Sequence, residues 1–211
     1  MALSRQDIAR AGLRLLNDVG LNGLTLRLIA DELGVKAPAL YWHFKNKEQL
    51  LDEMATQMYR DAQPGLADPG EGQDWESYLK GQAFAMRRML LRYRDGAKVF
   101  SGTFFTDEKP PNETALLLLI KSGVEPRRAG RALFTLYTFV IGFTIEEQAV
   151  YPVPGDRDKR YDEVLERHRA QADQDYYAAI SGMFTDDIDH QFAESLDIVL
   201  TGLRAYLGDP R

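Results

Sequence analysis

Side chains that could bind nucleic acid are concentrated near the N-terminus. The segment TLRLIADELGVKAPALYWHF has the spacing of a helix-turn-helix, with the small Ala30 where two helices would cross and Gly34 where the turn needs a positive φ. The second helix of such a unit enters the major groove of DNA by its N-terminal end. Here that end would present Ala37, Pro38 and the long hydrogen-bond donor Lys36.

Further donors flank this turn. Tyr41, His43 and Lys47 would lie along one edge. Thr25 and Arg27 open the preceding helix, where an amide-rich N-terminus can face a phosphate. Helical hairpins also occur in enzymes and scaffolds, so the turn alone leaves both interpretations open, and the flanking donors favour DNA.

The overall charge argues in the opposite direction. The chain has 211 residues with a net charge of -6, whereas DNA-binding domains usually carry an excess of Lys and Arg. However, residues 1 to 60 carry a net charge of +1 and the remainder carries -7. The acidity therefore belongs to the C-terminal part. We call residues 1 to 60 the DNA-binding head. Its net charge of +1 indicates few phosphate contacts per monomer, so specificity should depend on a dimer and affinity for DNA should fall with salt.

Several functional classes are disfavoured. The absence of cysteine excludes disulfides, thiolate zinc sites and cysteine catalysis. The N-terminus MALSRQDIAR is too charged for a signal peptide, and the longest apolar stretch, from Ala132 to Ile145, is too short to cross a bilayer. We therefore expect a cytoplasmic protein without membrane contact.

An enzyme is also disfavoured. There is no Gly-rich phosphate loop, HExxH pair or G-x-S-x-G elbow in the sequence. His168 and His190 stand alone among charged helical residues, and the adjacent Glu146 and Glu147 would point in different directions on a helix. We expect no catalytic site, no metal and no cofactor.

Helical periodicity predicts an all-α fold with a compositional boundary between Pro64 and Gly72. Ser4 and Asp7 form a capping-box pattern, and Asn46 is placed to cap a later helix. The predicted helices span Ser4–Val19, Thr25–Gly34, Val35–Phe44, Asn46–Gln63, Asp74–Arg94, Ala97–Phe100, Glu113–Ser122, Pro126–Ala149, about 161–180, and Asp186–Leu207.

The run from Leu24 to Leu51, which contains LYWHFKNKEQLL, resembles the DNA-binding domain of the TetR family of bacterial repressors. FAMRRMLLRYRDGAKVFSGT, from Phe84 to Thr103, resembles the ligand-binding core of the tetracycline repressors within that family. The resemblance implies a homodimeric repressor that binds a palindromic operator and is released by a small molecule. It implies a helix-turn-helix domain at 1–47, a connecting helix at 48–63, and a ligand-binding and dimerisation domain at 64–211.

The resemblance also assigns roles to residues. Family positions that contact DNA match Thr25, Arg27, Pro38, Tyr41, His43 and Lys47. Ala37 replaces the operator-reading glutamine of the family, so the operator should differ, with a guanine read by Lys36. In the family, ligand binding near the Phe100 segment shifts the connecting helix and changes the separation of the two heads.

The effector site departs from that of the tetracycline repressors. Phe100 replaces the histidine that holds the drug's magnesium ion, and a benzyl group cannot coordinate a cation. Other polar drug contacts fall on Gln63, Gln82 and Met86, and the drug-binding glutamine falls near Ala115 or Leu116. Thr103 and a carboxylate at Glu146 or Glu147 are retained.

These changes predict a hydrophobic, aromatic effector oriented by Gln82, Thr103 or Tyr137. Each apolar candidate taken singly fits an ordinary core equally well. The expected lining is Met86, Phe100, Phe104, Phe105, Leu116, Leu117, Leu133, Tyr137 and Phe139.

Two helices are candidates for the dimer contact. The Pro126–Ala149 helix carries apolar residues on every face, unlike a helix with one face in solvent, and the Asp186–Leu207 helix carries an apolar stripe. A stripe of that kind is more often core than interface, but the family uses these two helices for a four-helix dimer contact. We therefore expect a homodimer, and the alternative is a helical small-molecule or protein-binding module that does not bind an operator. The stripe consists of Phe192, Leu196, Val199, Leu203 and Tyr206.

Overall fold

The computed structural model describes residues 3–63, 68–70, 72–106, 112–152, 156–171, 173–181 and 187–208. Within these ranges the chain is helical and has no β-strand, as predicted. The helices are α1 Arg5–Gly23, α2 Leu26–Glu32, α3 Ala37–Tyr41, α4 Lys47–Ala62, α5 Trp75–Leu91, α6 Gly96–Phe100, α7 Glu113–Lys121, α8 Pro126–Val150, α9 Lys159–Gln171, α10 Gln174–Ser181 and α11 Ile188–Leu207.

Side-chain caps fix where the first helices begin. Ser4 Oγ accepts a hydrogen bond from the Asp7 amide at 3.1 Å, and Asp7 Oδ2 accepts one from the Ser4 amide at 3.1 Å. This reciprocal pair is the predicted capping box. Asn46 Oδ1 accepts from the Gln49 amide at 3.0 Å and starts α4, as predicted.

The N-terminal helices enclose their own small core. Ile8, Leu16, Ile29, Leu40 and Phe44 are fully buried. Because Gly12 has no side chain, α1 approaches α4 so closely that a Cβ at this position would lie 3.0 Å from Met54 Sδ. Gly34, with φ +66°, makes the turn between α2 and α3. The helix-turn-helix is therefore linked to α4 through α1, which packs against both α2 and α4.

The C-terminal helices are arranged around α8. This helix packs against α5, α6, α7 and α11, while α9 packs with α10. Leu90, Val99, Leu119 and Val140 are buried where these helices meet. None of the described helices combines the length and the apolarity needed to cross a bilayer.

The single helix predicted over about 161–180 is wrong, because the structure has two helices there. Asp173 lies between them, and its Oδ1 accepts from the Asp175 amide at 2.9 Å. A side chain that caps amides in this way starts a new helix. The predicted start of the last helix, Asp186, lies outside the described residues, and α11 begins at Ile188 after the cap residue Asp187.

Candidate DNA-binding surface and effector site

The short helix α3 is held by one face and exposes the other. Leu40 within the helix and Phe44 just after it are fully buried. Pro38, Tyr41 and Trp42 lie at spacings i, i+3 and i+4 and are exposed, with 90% of Trp42 accessible to solvent. Because the anchors face inward, α3 and its C-cap residue Trp42 present two large aromatic side chains to solvent.

Trp42 was absent from the DNA-contacting residues that we predicted from the sequence. Its helical spacing from Pro38, opposite the apolar Leu40 and Phe44, is the signal that identifies it. An exposed indole of this size is unusual on a surface that has no partner.

The start of α2 is suited to a phosphate. Thr25 Oγ1 accepts from the Leu28 amide at 3.1 Å, so this hydroxyl caps the helix and keeps its own proton for another acceptor. Arg27 is exposed in the first turn. A cation beside helix amides is an arrangement that attracts an anion.

Lys47, the first residue of α4, joins two parts of the molecule. Its Nζ donates to the Leu21 carbonyl at 2.9 Å, and the Leu21 amide donates to Asp95 Oδ2 at 3.0 Å. Asp95 precedes α6 with φ 56°. Burial acts to raise the pKa of Asp95, but hydrogen bonds from Lys98 and the Leu21 amide outweigh it and lower the pKa. The ammonium of Lys47 keeps two further protons for a phosphate.

The eight predicted DNA-contacting residues lie on α2 and α3, beside their ends, or at the start of α4. Thr25 and Arg27 open α2, and His43 and Lys47 lie in and after the turn that joins α3 to α4. Lys36 is the exposed N-cap of α3, and Ala37, Pro38 and Tyr41 belong to that helix. Their contact with DNA remains a prediction.

Four of the predicted effector residues come together at the end of α6. The Phe100 carbonyl accepts from Thr103 Oγ1 at 2.8 Å and from the Tyr137 hydroxyl at 3.4 Å. The Phe105 ring packs edge-on against Phe100 at 5.2 Å between centroids, and against Tyr59 of α4 at 5.7 Å. The arrangement is an aromatic cluster with two hydroxyl groups. Burial raises the pKa of Tyr137, so its hydroxyl is a neutral donor at physiological pH.

A second aromatic cluster holds Phe139. Its ring stacks on Phe192 at 5.6 Å and lies 5.9 Å from Phe143. Phe84 meets Phe192 edge-on at 5.1 Å. This second cluster joins α5, α8 and α11.

The other effector candidates are divided between the interior and the surface. Leu133 is buried, and Gln82, Met86 and Leu116 are half-buried. Phe104 is 79% exposed, because its backbone amide bonds to Asp52 Oδ1 at 2.8 Å while its ring points outward. The exposed candidates are Phe104, Leu117, Glu146 and Gln63. Of these, Gln63 bonds through its side chain to Tyr59, whose ring contacts Phe105.

Glu147 is buried and ion-paired, whereas the neighbouring Glu146 is exposed. The Glu147 carboxylate accepts hydrogen bonds from Arg87 Nη2 at 2.6 Å and from Arg87 Nε at 2.7 Å. Arg87 Nη1 donates a third hydrogen bond to Asp189 at 2.6 Å. Burial acts to lower the pKa of Arg87, but the hydrogen bonds that it donates to Glu147 and Asp189 outweigh burial and raise the pKa, so the guanidinium stays charged. This buried pair joins α5 to α8 and was not predicted, because its members are 60 residues apart. Among the described residues, no three His, Asp or Glu side chains converge as metal ligands would.

The chain matches two family descriptions. Residues 8–54 match "Bacterial regulatory proteins, tetR family", and residues 68–207 match "Tetracyclin repressor-like, C-terminal domain". The class C tetracycline repressor protein of Escherichia coli is 37% identical over 204 residues, which are 95% of this chain and 90% of that protein.

Solved structures agree with these matches. A TetR variant from Acinetobacter baumannii AYE in complex with minocycline is 33% identical, with a TM-score of 0.80 over 100% of this chain and 98% of that one. BioQ with its natural double-stranded DNA operator is 26% identical, with a TM-score of 0.67 over 97% and 99% of the two chains.

Proposed function

The chain belongs to the TetR family of bacterial regulatory proteins, and from this membership we infer that it is a ligand-responsive, DNA-binding transcriptional repressor. The observation that carries the inference is the exposed face of α3. Pro38, Tyr41 and Trp42 stand in solvent beside Lys36, on a helix that Leu40 and Phe44 anchor from behind. A helix fixed in this way can enter a major groove without rearrangement.

The repressor acts as a homodimer through α8 and α11. The face of the two helices that does not pack within the protomer carries Phe134, which is 66% exposed, and Ile198, which is 74% exposed. Large apolar side chains at such exposure favour a protein partner. In a two-fold dimer, this patch of one protomer would pack against the same patch of the other. Most of the stripe that we took from the sequence faces inward instead, with Phe192, Leu196 and Leu203 buried.

A two-fold dimer has a consequence for the operator. Its two copies of α3 would lie about 34 Å apart on successive major grooves, which requires a palindromic sequence. Lys36, at the N-terminal end of α3, is placed to donate to a guanine in each half-site. Arg27, Thr25 and Lys47 would contact phosphates.

We propose an aromatic effector that binds without a metal ion. Support comes from the cluster of Phe100, Phe105 and Tyr59, with Thr103 and Tyr137 as the orienting hydroxyl groups. A TetR variant binds minocycline. Here the benzyl group of Phe100 cannot ligate a cation, so we expect aromatic metabolites to raise the melting temperature more than minocycline with magnesium does. A shift with minocycline and magnesium alone would contradict this proposal.

Effector and operator should bind antagonistically. An aromatic molecule that enters beside Phe100 must displace Phe105, whose ring contacts Tyr59 of α4. Because α4 carries the head, its movement changes the separation of the two copies of α3, and affinity is lost when both cannot bind at once. Equal affinity for DNA with and without a bound aromatic ligand would contradict this mechanism.

A regulator of this kind needs no catalytic group, and we propose that the protein is not an enzyme. We also propose that it works in the cytoplasm, where bacterial DNA lies.

Fluorescence anisotropy with the intergenic duplex upstream of its own gene tests the DNA-binding function. We expect specific binding that weakens steeply between 50 and 200 mM salt, as phosphate contacts require. A folded dimer that binds an aromatic ligand but not this duplex would favour a ligand-binding module instead.

A further inference from the structure

A buried carboxylate on α4 lies between the head and the segment from Phe104 to Thr106, which we call the effector segment. The Glu53 side chain is 4% exposed. Its Oε2 accepts from Arg5 Nε at 3.0 Å and from Thr106 Oγ1 at 3.2 Å, while its Oε1 accepts from Arg60 Nη1 at 2.9 Å. One carboxylate thus joins the N-terminus of α1, the middle of α4 and the segment that follows α6.

Arg5 extends this network to the DNA-reading helix. Its Nη1 donates to the His43 carbonyl at 2.6 Å, in the turn between α3 and α4. Its guanidinium carbon lies 4.3 Å from the centre of the Phe44 ring. A planar guanidinium with donors in fixed directions holds two acceptors at a set separation, which a lysine ammonium cannot do. Arg5 therefore fixes the C-terminal end of α3 relative to Glu53.

Thr106 connects the same carboxylate to the effector cluster. It follows Phe105, whose ring contacts Phe100. The Thr106 amide donates to Thr56 Oγ1 at 3.0 Å, so the segment is also fastened to α4 through its backbone. A displacement of Phe105 would pull on Thr106 and remove a donor from Glu53 Oε2, the oxygen that also orients Arg5.

We propose that Arg5 and Glu53 are positioning residues for operator reading, which set the place of α3 according to the state of the segment from Phe104 to Thr106. Glu53 orients Arg5, and Arg5 holds the His43 turn. The inference rests on the proposed operator binding. Neither side chain needs to touch DNA for this role.

A double-mutant cycle tests the connection. Arg5 and Thr106 both bond to Glu53 Oε2, so their effects on operator affinity should be coupled. We expect Arg5→Lys, which keeps the charge but loses the planar set of donors, to weaken binding to the intergenic duplex by roughly tenfold. Thr106→Val should weaken it by roughly threefold. The double variant should bind more tightly than the product of the two losses predicts. Losses that multiply, or an Arg5→Lys variant that binds like the wild type, would overturn the proposal.

The exposed pair Arg14 and Glu32, 3.9 Å apart on the same head, supplies the matched control. Arg14→Lys and Glu32→Gln should each leave the affinity within about twofold, since exposed ion pairs contribute little. Melting temperatures measured on all variants identify any that have lost the fold.

A second readout needs no DNA and therefore separates this inference from the proposed function. Amide hydrogen exchange at His43 and Phe44, whose amides bond to the Leu40 carbonyl, should accelerate in both Arg5→Lys and Thr106→Val. Unchanged exchange in Thr106→Val would refute the link between the effector segment and α3. Failure of the wild type to bind the duplex, with exchange altered as expected, would refute operator binding at this site and leave the link intact.

Discussion

Trp42 allows binding to be separated from stability. With 90% of its surface in solvent, the indole contributes little to the core, and its removal should change the free energy of unfolding by less than about 0.5 kcal/mol. We predict that Trp42→Ala melts like the wild type but binds the intergenic duplex at least roughly tenfold more weakly, because aromatic anchors at the centre of an interface carry much of its affinity. Anisotropy titrations measure this effect. Tyr176→Ala, which removes an exposed aromatic from α10, is the control, and equal losses in the two variants would contradict the assignment.

Lys36 and Arg27 should affect binding in different ways. We predict that Lys36→Ala loses preference for guanine at one position of each half-site, by about 1–3 kcal/mol. Arg27→Ala should weaken binding to all sequences alike and lower the slope of log affinity against log salt by about 1. Titrations on single-base variants of the duplex at several salt concentrations separate the two roles. A Lys36→Ala variant with unchanged preference would show that Lys36 does not read a base.

Glu53 should make stability depend on pH. Burial acts to raise its pKa, but hydrogen bonds from Arg60 and Arg5 outweigh burial and hold the pKa below the ordinary value of 4.5. The ionised group therefore contributes stability above pH 4.5 that is lost as pH falls through the lowered pKa. Urea unfolding of the wild type and Glu53→Gln should differ most at neutral pH and converge in acid. A difference that stays constant down to pH 3 would contradict the ionised assignment.

At the scale of helices, the Arg87–Glu147 pair joins α5 to α8. Both side chains are buried, so Arg87→Met leaves a carboxylate without its partner, at a cost of about 3–5 kcal/mol. We predict that Arg87→Met with Glu147→Leu recovers most of this loss, since an apolar pair of similar volume removes the buried charge. Urea unfolding measures both variants. No recovery in the double variant would mean that the helices need the ion pair itself.

Sequence patterns predicted the helices well where the signal is local. The caps at Ser4 and Asn46 depend on residues three positions away and lie where expected. Asp173 was overlooked as a cap, so one helix was predicted where two exist. The effector candidates Phe100, Thr103 and Phe105 came from the resemblance to the tetracycline repressors and not from local spacing.

Contacts between distant segments were beyond the reach of these patterns. Arg5 and Glu53 are 48 residues apart, and each has the ordinary spacing of a charged residue on a wet helix face. Their burial depends on how α1 packs against α4, which no single segment specifies. Phe104 shows the reverse error, since its apolar side chain suggested an interior position although its backbone contact with Asp52 turns the ring outward.

At the scale of the whole molecule, the two-fold dimer requires the exposed face of α8 and α11. We predict that Ile198→Lys yields a monomer in sedimentation experiments, because a charge at the centre of an apolar contact would lose its water without a partner. The monomer should bind the duplex far more weakly, since one head of charge +1 makes few phosphate contacts. Val19→Lys, on the exposed surface of α1, is the control for an added charge and should remain dimeric. An Ile198→Lys variant that stays dimeric would place the interface elsewhere.

A hydroxyl-radical footprint on the intergenic duplex upstream of the gene tests operator binding by a two-fold dimer most directly. We predict two protected half-sites related by two-fold symmetry, with centres one helical turn of about 10–10.5 base pairs or a multiple of it apart, and loss of protection with Trp42→Ala. Uniform cleavage of the duplex in the presence of the folded, dimeric wild-type protein at low salt would contradict the proposal that this protein represses transcription from that site.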